Sequence, residues 1–169
     1  MHLPTLLASA RRSRWGRFKL NAVLPFAVPF NRPHGFRVVP LPEGGIQVDI
    51  PNWRINQNHI KGIHACAIAT ASEMCSGLSV LEHLDPKKYR LIMRALHMEY
   101  HYQAKMKASA RSTPEASEVQ RTVVDPLTAG QGSVDHTSTV EVRDAQGNHL
   151  ATATVTWQVK EWSRVRTKV

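Results

Sequence analysis

The stretch that decides the fold is His64–Leu84, HACAIATASEMCSGLSVLEHL, in which alanine, serine, glycine and cysteine alternate with a few larger apolar residues. It is long enough for a helix, and small side chains allow a helix axis to lie close to another surface. Asp85-Pro86 follows directly, and the residue before a proline disfavours helical backbone. The sequence therefore predicts one long, closely packed helix that ends near Asp85.

On both sides of this helix the apolar residues follow a period of two, which is typical of strands. A hairpin is predicted around residues 36–50, with Pro42-Glu43-Gly44-Gly45 as its turn, and a second turn is predicted at 144–148. The helix precedes strands predicted at 90–103, 107–112, 119–124, 132–142 and 150–162. Grouped strands of this kind favour an α+β class with an antiparallel sheet wrapped around the helix.

Residues 3–18 space their apolar side chains as an amphipathic helix with a basic face. A proline-rich irregular segment, 25–33, leads from this extra N-terminal helix into the first strand. We therefore divide the chain into 1–34, a basic helix with its lead-in, and 35–169, the sheet domain. A chain of 169 residues suits a single domain of this size.

The net charge of +9 is concentrated at the two ends of the chain. Residues 1–42 hold seven Lys and Arg and no acid, and residues 160–169 hold four against one, whereas 43–159 holds eleven against twelve. Domains that bind nucleic acid carry their basic face on the fold itself, so we expect no nucleic-acid partner. A basic N-terminal helix is instead compatible with peripheral contact to a membrane.

Composition and termini indicate the compartment. Two cysteines do not make a disulfide framework, and no secretory cleavage site is evident. No apolar run approaches the length of about 20 residues that a membrane span needs. The sequence predicts a cytoplasmic protein.

Glu73 is the first candidate for chemistry, because it is the only Lys, Arg, Asp or Glu between Lys61 and Glu82. Burial raises the pKa of a carboxyl group and suits it to act as a base or nucleophile. The second candidate is the start of the helix, where His64 and the backbone of Ala65 present free N–H groups that would stabilise a developing negative charge. His64 and Glu73 lie half a turn out of phase, so one site would combine them only across a two-fold dimer.

The segment Asn58-His-Ile-Lys-Gly-Ile-His64-Ala-Cys-Ala-Ile-Ala-Thr-Ala-Ser-Glu73 resembles the loop and helix signature of PaaI-like hotdog acyl-CoA thioesterases. The resemblance covers about 36–162, and the added N-terminus is similar to branches related to the YiiD C-terminal domain. It implies a hotdog fold, an acyl-CoA substrate and no cofactor or metal. Independently of the resemblance, a sheet with one covered face leaves its edge strands open, so we expect a homodimer, with a tetramer of two such dimers as the open alternative.

The resemblance implies a role for each motif residue. Ala65 N–H and Asn58 would bind the thioester oxygen, Glu73 of the partner chain would activate water or attack, and His64 would order the turn. Ala65-Cys66 replaces the glycine pair of the family, and residues 89–94 lack its serine or threonine. Basic residues at the mouth of the cleft would bind the CoA phosphates, and their positions suggest Arg54, Lys61, Lys105 and Lys107.

Several other interpretations remain open. His59 and Glu73 are spaced like the pair of hotdog acyl-carrier-protein dehydratases, but the glycine turns of that motif are missing, and Arg54 stands where the hydratase pattern has its aspartate. Loss of the turn glycines would also suit an acyl- or lipid-binding protein without activity. A metal site on one strand face would be built from His97, Glu99 and His101. A nucleophilic cysteine would be Cys66 paired with His64.

Overall fold

The computed structural model describes residues 2–166, so the last three residues of the basic C-terminal end lie outside it. Six antiparallel strands form one sheet in the order β1-β2-β4-β5-β6-β3. The predicted hairpin is confirmed, and four of the five later strands lie within about three residues of the predicted ranges. The strands are β1 Arg37–Pro40, β2 Ile46–Ile50, β3 Tyr89–Tyr100, β4 Ala108–Ser112, β5 Val134–Asp144 and β6 His149–Glu161.

The long helix that the sequence predicts is helix α3, Ala65–Leu81, and it lies against the inner face of the sheet. Its small residues allow the close approach. A Cβ atom on Gly77 would lie 3.0 Å from the indole ring of Trp157 on β6, whose Nε1 donates a hydrogen bond of 2.7 Å to Ser76. The sheet therefore wraps around one central helix, as expected for the α+β class.

The predicted single helix at 3–18 is wrong, because the chain forms two helices, α1 Leu3–Arg12 and α2 Arg14–Ala27. Ser13 separates them, since its backbone is extended and its hydroxyl accepts the Gly16 N–H as an N-cap. Gly16 also lets the helices cross closely, because a Cβ there would lie 2.2 Å from the Ser9 carbonyl oxygen. Helix α2 continues through Pro25, and a 3-10 turn, Pro29–His34, follows it, so the lead-in is more helical than the prolines suggested.

The strand predicted at 119–124 is also wrong. This segment is helical, with α4 at Ala116–Val119, a π-helical turn at Gln120–Val124 and α5 at Asp125–Thr128. Val119, Val123 and Leu127 recur every four residues, and all three are buried. This is the spacing of one helix face, although valine is typical of strands.

The two edges of the sheet differ. On the short edge strand β1, Asn21 of α2 accepts a hydrogen bond from Val38 N–H at 2.7 Å and donates one to Val38 C=O at 2.8 Å. Strand β3, at the other edge, is twelve residues long and exposes Ile92, Met93 and Tyr100. One edge is therefore covered by its own chain, whereas no strand within residues 2–166 pairs with the outer side of the other.

None of the helices within residues 2–166 is both long enough and apolar enough to cross a bilayer.

Candidate active site

The first turn of α3 is organised by His64, whose side chain caps the helix. His64 Nδ1 accepts a hydrogen bond of 3.0 Å from Cys66 N–H, and its carbonyl oxygen accepts the N–H groups of Ala67 and Ile68. The Ala65 N–H has no acceptor among residues 2–166. His64 thus occupies the neighbouring N–H groups and leaves the one at Ala65 available to a ligand.

Asn56 fixes the loop that enters the helix, and the sequence reasoning assigned it no structural role. Its carbonyl accepts the His64 N–H at 2.7 Å, and its buried side chain donates to the carbonyls of His34 and Pro51. His34 Nδ1 lies 2.8 Å from Asn56 Oδ1. The 3-10 turn of the N-terminal segment therefore positions the start of α3.

Asn58 lies in the same loop and binds the backbone of the turn. Its Oδ1 accepts the N–H groups of Ile60 and Gly62 at 3.0 and 3.1 Å. This arrangement holds Lys61 at a φ of 61°, a left-handed conformation that is uncommon outside glycine. The Asn58 amide Nδ2 has no partner among the described side chains and carbonyls, so it remains available as a donor.

Glu73 lies at the end of a stripe of α3 that residues 2–166 leave partly uncovered. Cys66 is exposed, whereas Ala69, Thr70 and Glu73 are half-buried, and these four residues follow the spacing of a single helix face. Within residues 2–166, the Glu73 carboxylate has no hydrogen bond and no ion pair. Desolvation raises the pKa of Glu73 above its ordinary value of 4.5.

A single chain does not bring Glu73 together with the Ala65 N–H. Eight residues of α-helix separate them, which corresponds to about 12 Å along the axis.

Strand β3 is linked to the same helix start, because the Tyr100 hydroxyl donates a hydrogen bond of 3.0 Å to the Ala65 carbonyl. Tyr100 is a site residue that the sequence analysis did not identify.

The four predicted phosphate-binding residues are all exposed, and three of them lie near the start of α3. Arg54 and Lys61 belong to the loop before the helix, and Lys105 belongs to the segment beside it. The two segments are joined by hydrogen bonds from Ile63 N–H to Ala104 O and from Asn52 Nδ2 to Lys105 O. Lys107 lines a cavity of about 430 Å³ together with Arg37 and Asp49.

The structure also places the histidines, the glutamate and the cysteines of the metal, dehydratase and nucleophilic-cysteine alternatives. His97 Nε2 lies 3.6 Å from Glu99 on β3, while His101 contacts Thr152 and the ring of His149. No cluster of three metal-ligating side chains occurs in the described part of the chain. His59 is exposed in the loop. Cys66 is exposed, whereas Cys75 is buried and its Sγ donates to the Ile46 carbonyl at 3.1 Å.

Comparison with solved structures confirms the hotdog fold. PA5026 from Pseudomonas aeruginosa, described as a protein of unknown function and probable thioesterase, has a TM-score of 0.73 at 19% identity, over 83% of this chain and 93% of its own. Thioesterase HI1161 from Haemophilus influenzae has a TM-score of 0.62 at 13% identity, over 78% and 82%. SAV0944 from Staphylococcus aureus, described as a thioesterase enzyme, has a TM-score of 0.60 at 11% identity, over 79% and 99%.

Among curated proteins, no relative matched the sequence. A family model described as a domain of unknown function matches residues 16–159, which include most of α2, the sheet up to the last two residues of β6 and the helix that carries Glu73. The chain therefore belongs to the DUF4442 family.

Proposed function

We propose that this protein is a homodimeric thioesterase that hydrolyses acyl-CoA thioesters, with Glu73 as the base or nucleophile. The observation that carries the proposal is the state of Glu73. It is a half-buried carboxylate without a partner in the described structure, on the uncovered stripe of a central helix whose first N–H is also unused.

A dimer would complete the site. The open edge of β3 offers a partner strand, and two-fold pairing there brings the uncovered stripe of each α3 towards the other protomer. Glu73 of one protomer would then face the Ala65 N–H of its partner, which avoids the separation of about 12 Å within one helix. The apolar side chains of Ile92 and Met93 would be buried in the same step.

In the base route, the partner's Ala65 N–H binds the thioester carbonyl oxygen. A water oxygen adds to the carbonyl carbon while Glu73 accepts one proton from that water. The C–S bond then breaks, and the departing thiolate takes the proton back from Glu73. The products are the carboxylic acid and free CoA thiol, and Glu73 returns to its ionised form.

The neighbours support this reaction class. Structures of SAV0944 include variants in which either a glutamine or a glutamate is replaced by alanine, and those two positions are fifteen residues apart. Asn58 and Glu73 are also fifteen residues apart here, and asparagine carries the same amide group as glutamine. We therefore assign Asn58 Nδ2 as a second donor to the carbonyl oxygen or to the attacking water.

Acyl-CoA is the proposed substrate because cations surround the entrance to the helix start. Arg54, Lys61 and Lys105 are exposed and have no carboxylate partner in the described structure, so they are available to phosphate groups. Ala69 and Thr70 on the uncovered stripe have small side chains, and we infer that the acyl chain lies beside them.

A panel of acyl-CoA thioesters, assayed by release of free thiol, tests the proposal. We expect turnover with at least one member, loss of turnover in Glu73→Gln, and no change in Glu118→Gln. Glu118 is a matched control because it is an exposed glutamate without an ion pair in the described structure.

A second measurement separates the competing function. Thioether analogues of acyl-CoA bind without being cleaved, so calorimetry reports binding alone. If the analogues bind but no thioester is hydrolysed, the protein is an acyl-binding protein that has lost its turn glycines rather than an enzyme.

A further inference from the structure

Helix α2 presents an unpartnered aromatic face to solvent. Trp15 is 63% exposed and Phe18 61%, and Phe26 at the other end of the helix is 70% exposed. Phe30, in the 3-10 turn that follows, is 72% exposed. These four residues, which we call the aromatic face, form the largest group of exposed aromatic rings within one segment of the described chain.

The aromatic face is held firmly by the fold. The opposite side of α2 carries Leu20 and Leu24, which are buried in the common core. The outward rings are ordered among themselves, since Trp15 and Phe18 stack with centroids 5.1 Å apart. Cations lie over the rings, with Lys19 5.3 Å from Trp15 and Arg32 5.2 Å from Phe26.

An arginine cleft lies beside the aromatic face. Arg14, Arg17 and Arg37 line one open cleft between the start of α2 and strand β1. None of the three has a carboxylate partner among the described residues. The first acid of the sequence is Glu43, so no negative charge lies within α1, α2 or β1. The three guanidinium groups therefore line one cleft without an ion pair, with Asp49 opposite Arg37 in the β1–β2 register as the neighbouring acid, and guanidinium pairs preferentially with phosphate and carboxylate.

We propose that this surface docks the protein on an anionic phospholipid bilayer. The aromatic face would enter the interfacial layer, where tryptophan and phenylalanine are favoured, and the arginine cleft would bind lipid phosphates. Helix α2 would lie in the plane of the membrane with its leucine side towards the protein.

Charge favours a bilayer over a second copy of the chain as the occupant. Pairing two aromatic faces about a two-fold axis would bring two acid-free basic segments together, and like charges repel. An anionic bilayer neutralises those same cations. The proposal does not depend on thioesterase activity, because none of its residues belongs to the site around Glu73.

Co-sedimentation of the full-length protein with vesicles tests the proposal. We expect binding to vesicles of equal parts phosphatidylglycerol and phosphatidylcholine, much weaker binding to phosphatidylcholine alone, and loss of binding at high salt. Arg14→Glu with Arg17→Glu should reduce the partition coefficient by more than about tenfold. Arg121→Glu is the charge control, since Arg121 is exposed on the distant helical segment.

The aromatic contribution is measured separately. Trp15→Ser with Phe18→Ser should also weaken binding, and both side chains are exposed, so the fold should be retained. Trp162→Ser is the matched control at another exposed tryptophan. In wild type, vesicles should shift the tryptophan emission to the blue, and Trp15→Phe should abolish that shift.

Three results would overturn the proposal. The first is equal partitioning onto neutral and anionic vesicles, or onto neither. The second is a loss in Arg121→Glu as large as the loss in the double arginine variant. The third is a dimer-to-tetramer transition without lipid that Trp15→Ser with Phe18→Ser prevents, because a second copy would then cover this face.

Discussion

The Tyr100 hydroxyl donates a 3.0 Å hydrogen bond to the Ala65 carbonyl, and this bond ties the free edge strand to the first turn of the central helix. Desolvation raises the pKa of Tyr100, so the hydroxyl stays protonated as a donor over the neutral range. The contact joins the strand proposed to form the dimer to the backbone proposed to bind the substrate oxygen. Tyr100 is therefore a positioning residue, because it acts through Ala65.

We predict that Tyr100→Phe lowers kcat by about tenfold, which corresponds to the net value of one hydrogen bond, with little change in KM. Tyr102→Phe is the matched control, since its exposed hydroxyl has no hydrogen bond in the described structure. Steady-state kinetics of the two variants check this. Equal activity of both would show that the bond has no role in positioning.

The edge of β3 should carry the dimer. We predict that Ile92→Lys with Met93→Lys shifts the protein to monomers and abolishes turnover, since four charges would be placed in the paired edge. Thr154→Lys is the control, on an exposed position of the interior strand β6. Sedimentation equilibrium measures the mass. A double variant that remains dimeric would place the dimer contact elsewhere.

Glu73 should cost stability when it ionises. Its native pKa lies above 4.5, so the native state holds its proton more tightly than the unfolded state does. The free energy of unfolding therefore falls as the pH rises from 4.5 through the native pKa of Glu73. Glu73→Gln removes this cost, and we predict an unfolding free energy at neutral pH that equals or exceeds the wild-type value. Denaturant titrations at pH 4 and pH 7 measure the difference. A variant destabilised only at neutral pH would mean that the carboxylate has a stabilising partner.

His136 should show the opposite dependence. It is buried, its Nδ1 lies 3.0 Å from Thr122 Oγ1, and desolvation lowers its pKa below 6.5, although Glu118 acts against this. The unfolded state therefore binds the proton first, and stability is lost as the pH falls below 6.5 towards the native value. We predict that His136→Gln flattens this part of the curve in thermal unfolding. An unchanged slope in His136→Gln would mean that other histidines cause this pH dependence.

Local pattern was sufficient to predict the long helix, the hairpin and four of the later strands. Small residues over 64–84 and strict alternation in β6 leave few alternatives for the backbone. The segment with Val119 and Val123 misled the prediction, because β-branched residues are typical of strands and the burial of one side by β5 was not visible locally. Propensity is a weak guide where tertiary contacts decide.

The same limit applies to the site. Glu73 could be singled out as a lone charge, since that is a property of the sequence itself. The roles of Asn56, His34 and Tyr100 depend on contacts between residues 22 to 35 positions apart. No spacing within one element predicts such contacts.

The role of Glu73 is tested most directly with an acyl-CoA that the wild type hydrolyses, by measuring kcat for wild type, Glu73→Gln and Glu118→Gln across a range of pH. We expect a fall in kcat of about 10² to 10⁴-fold in Glu73→Gln with the dimer intact. The wild-type rate should rise with pH as Glu73 ionises, through a pKa above 4.5. Unchanged turnover in Glu73→Gln would show that Glu73 is neither the base nor the nucleophile.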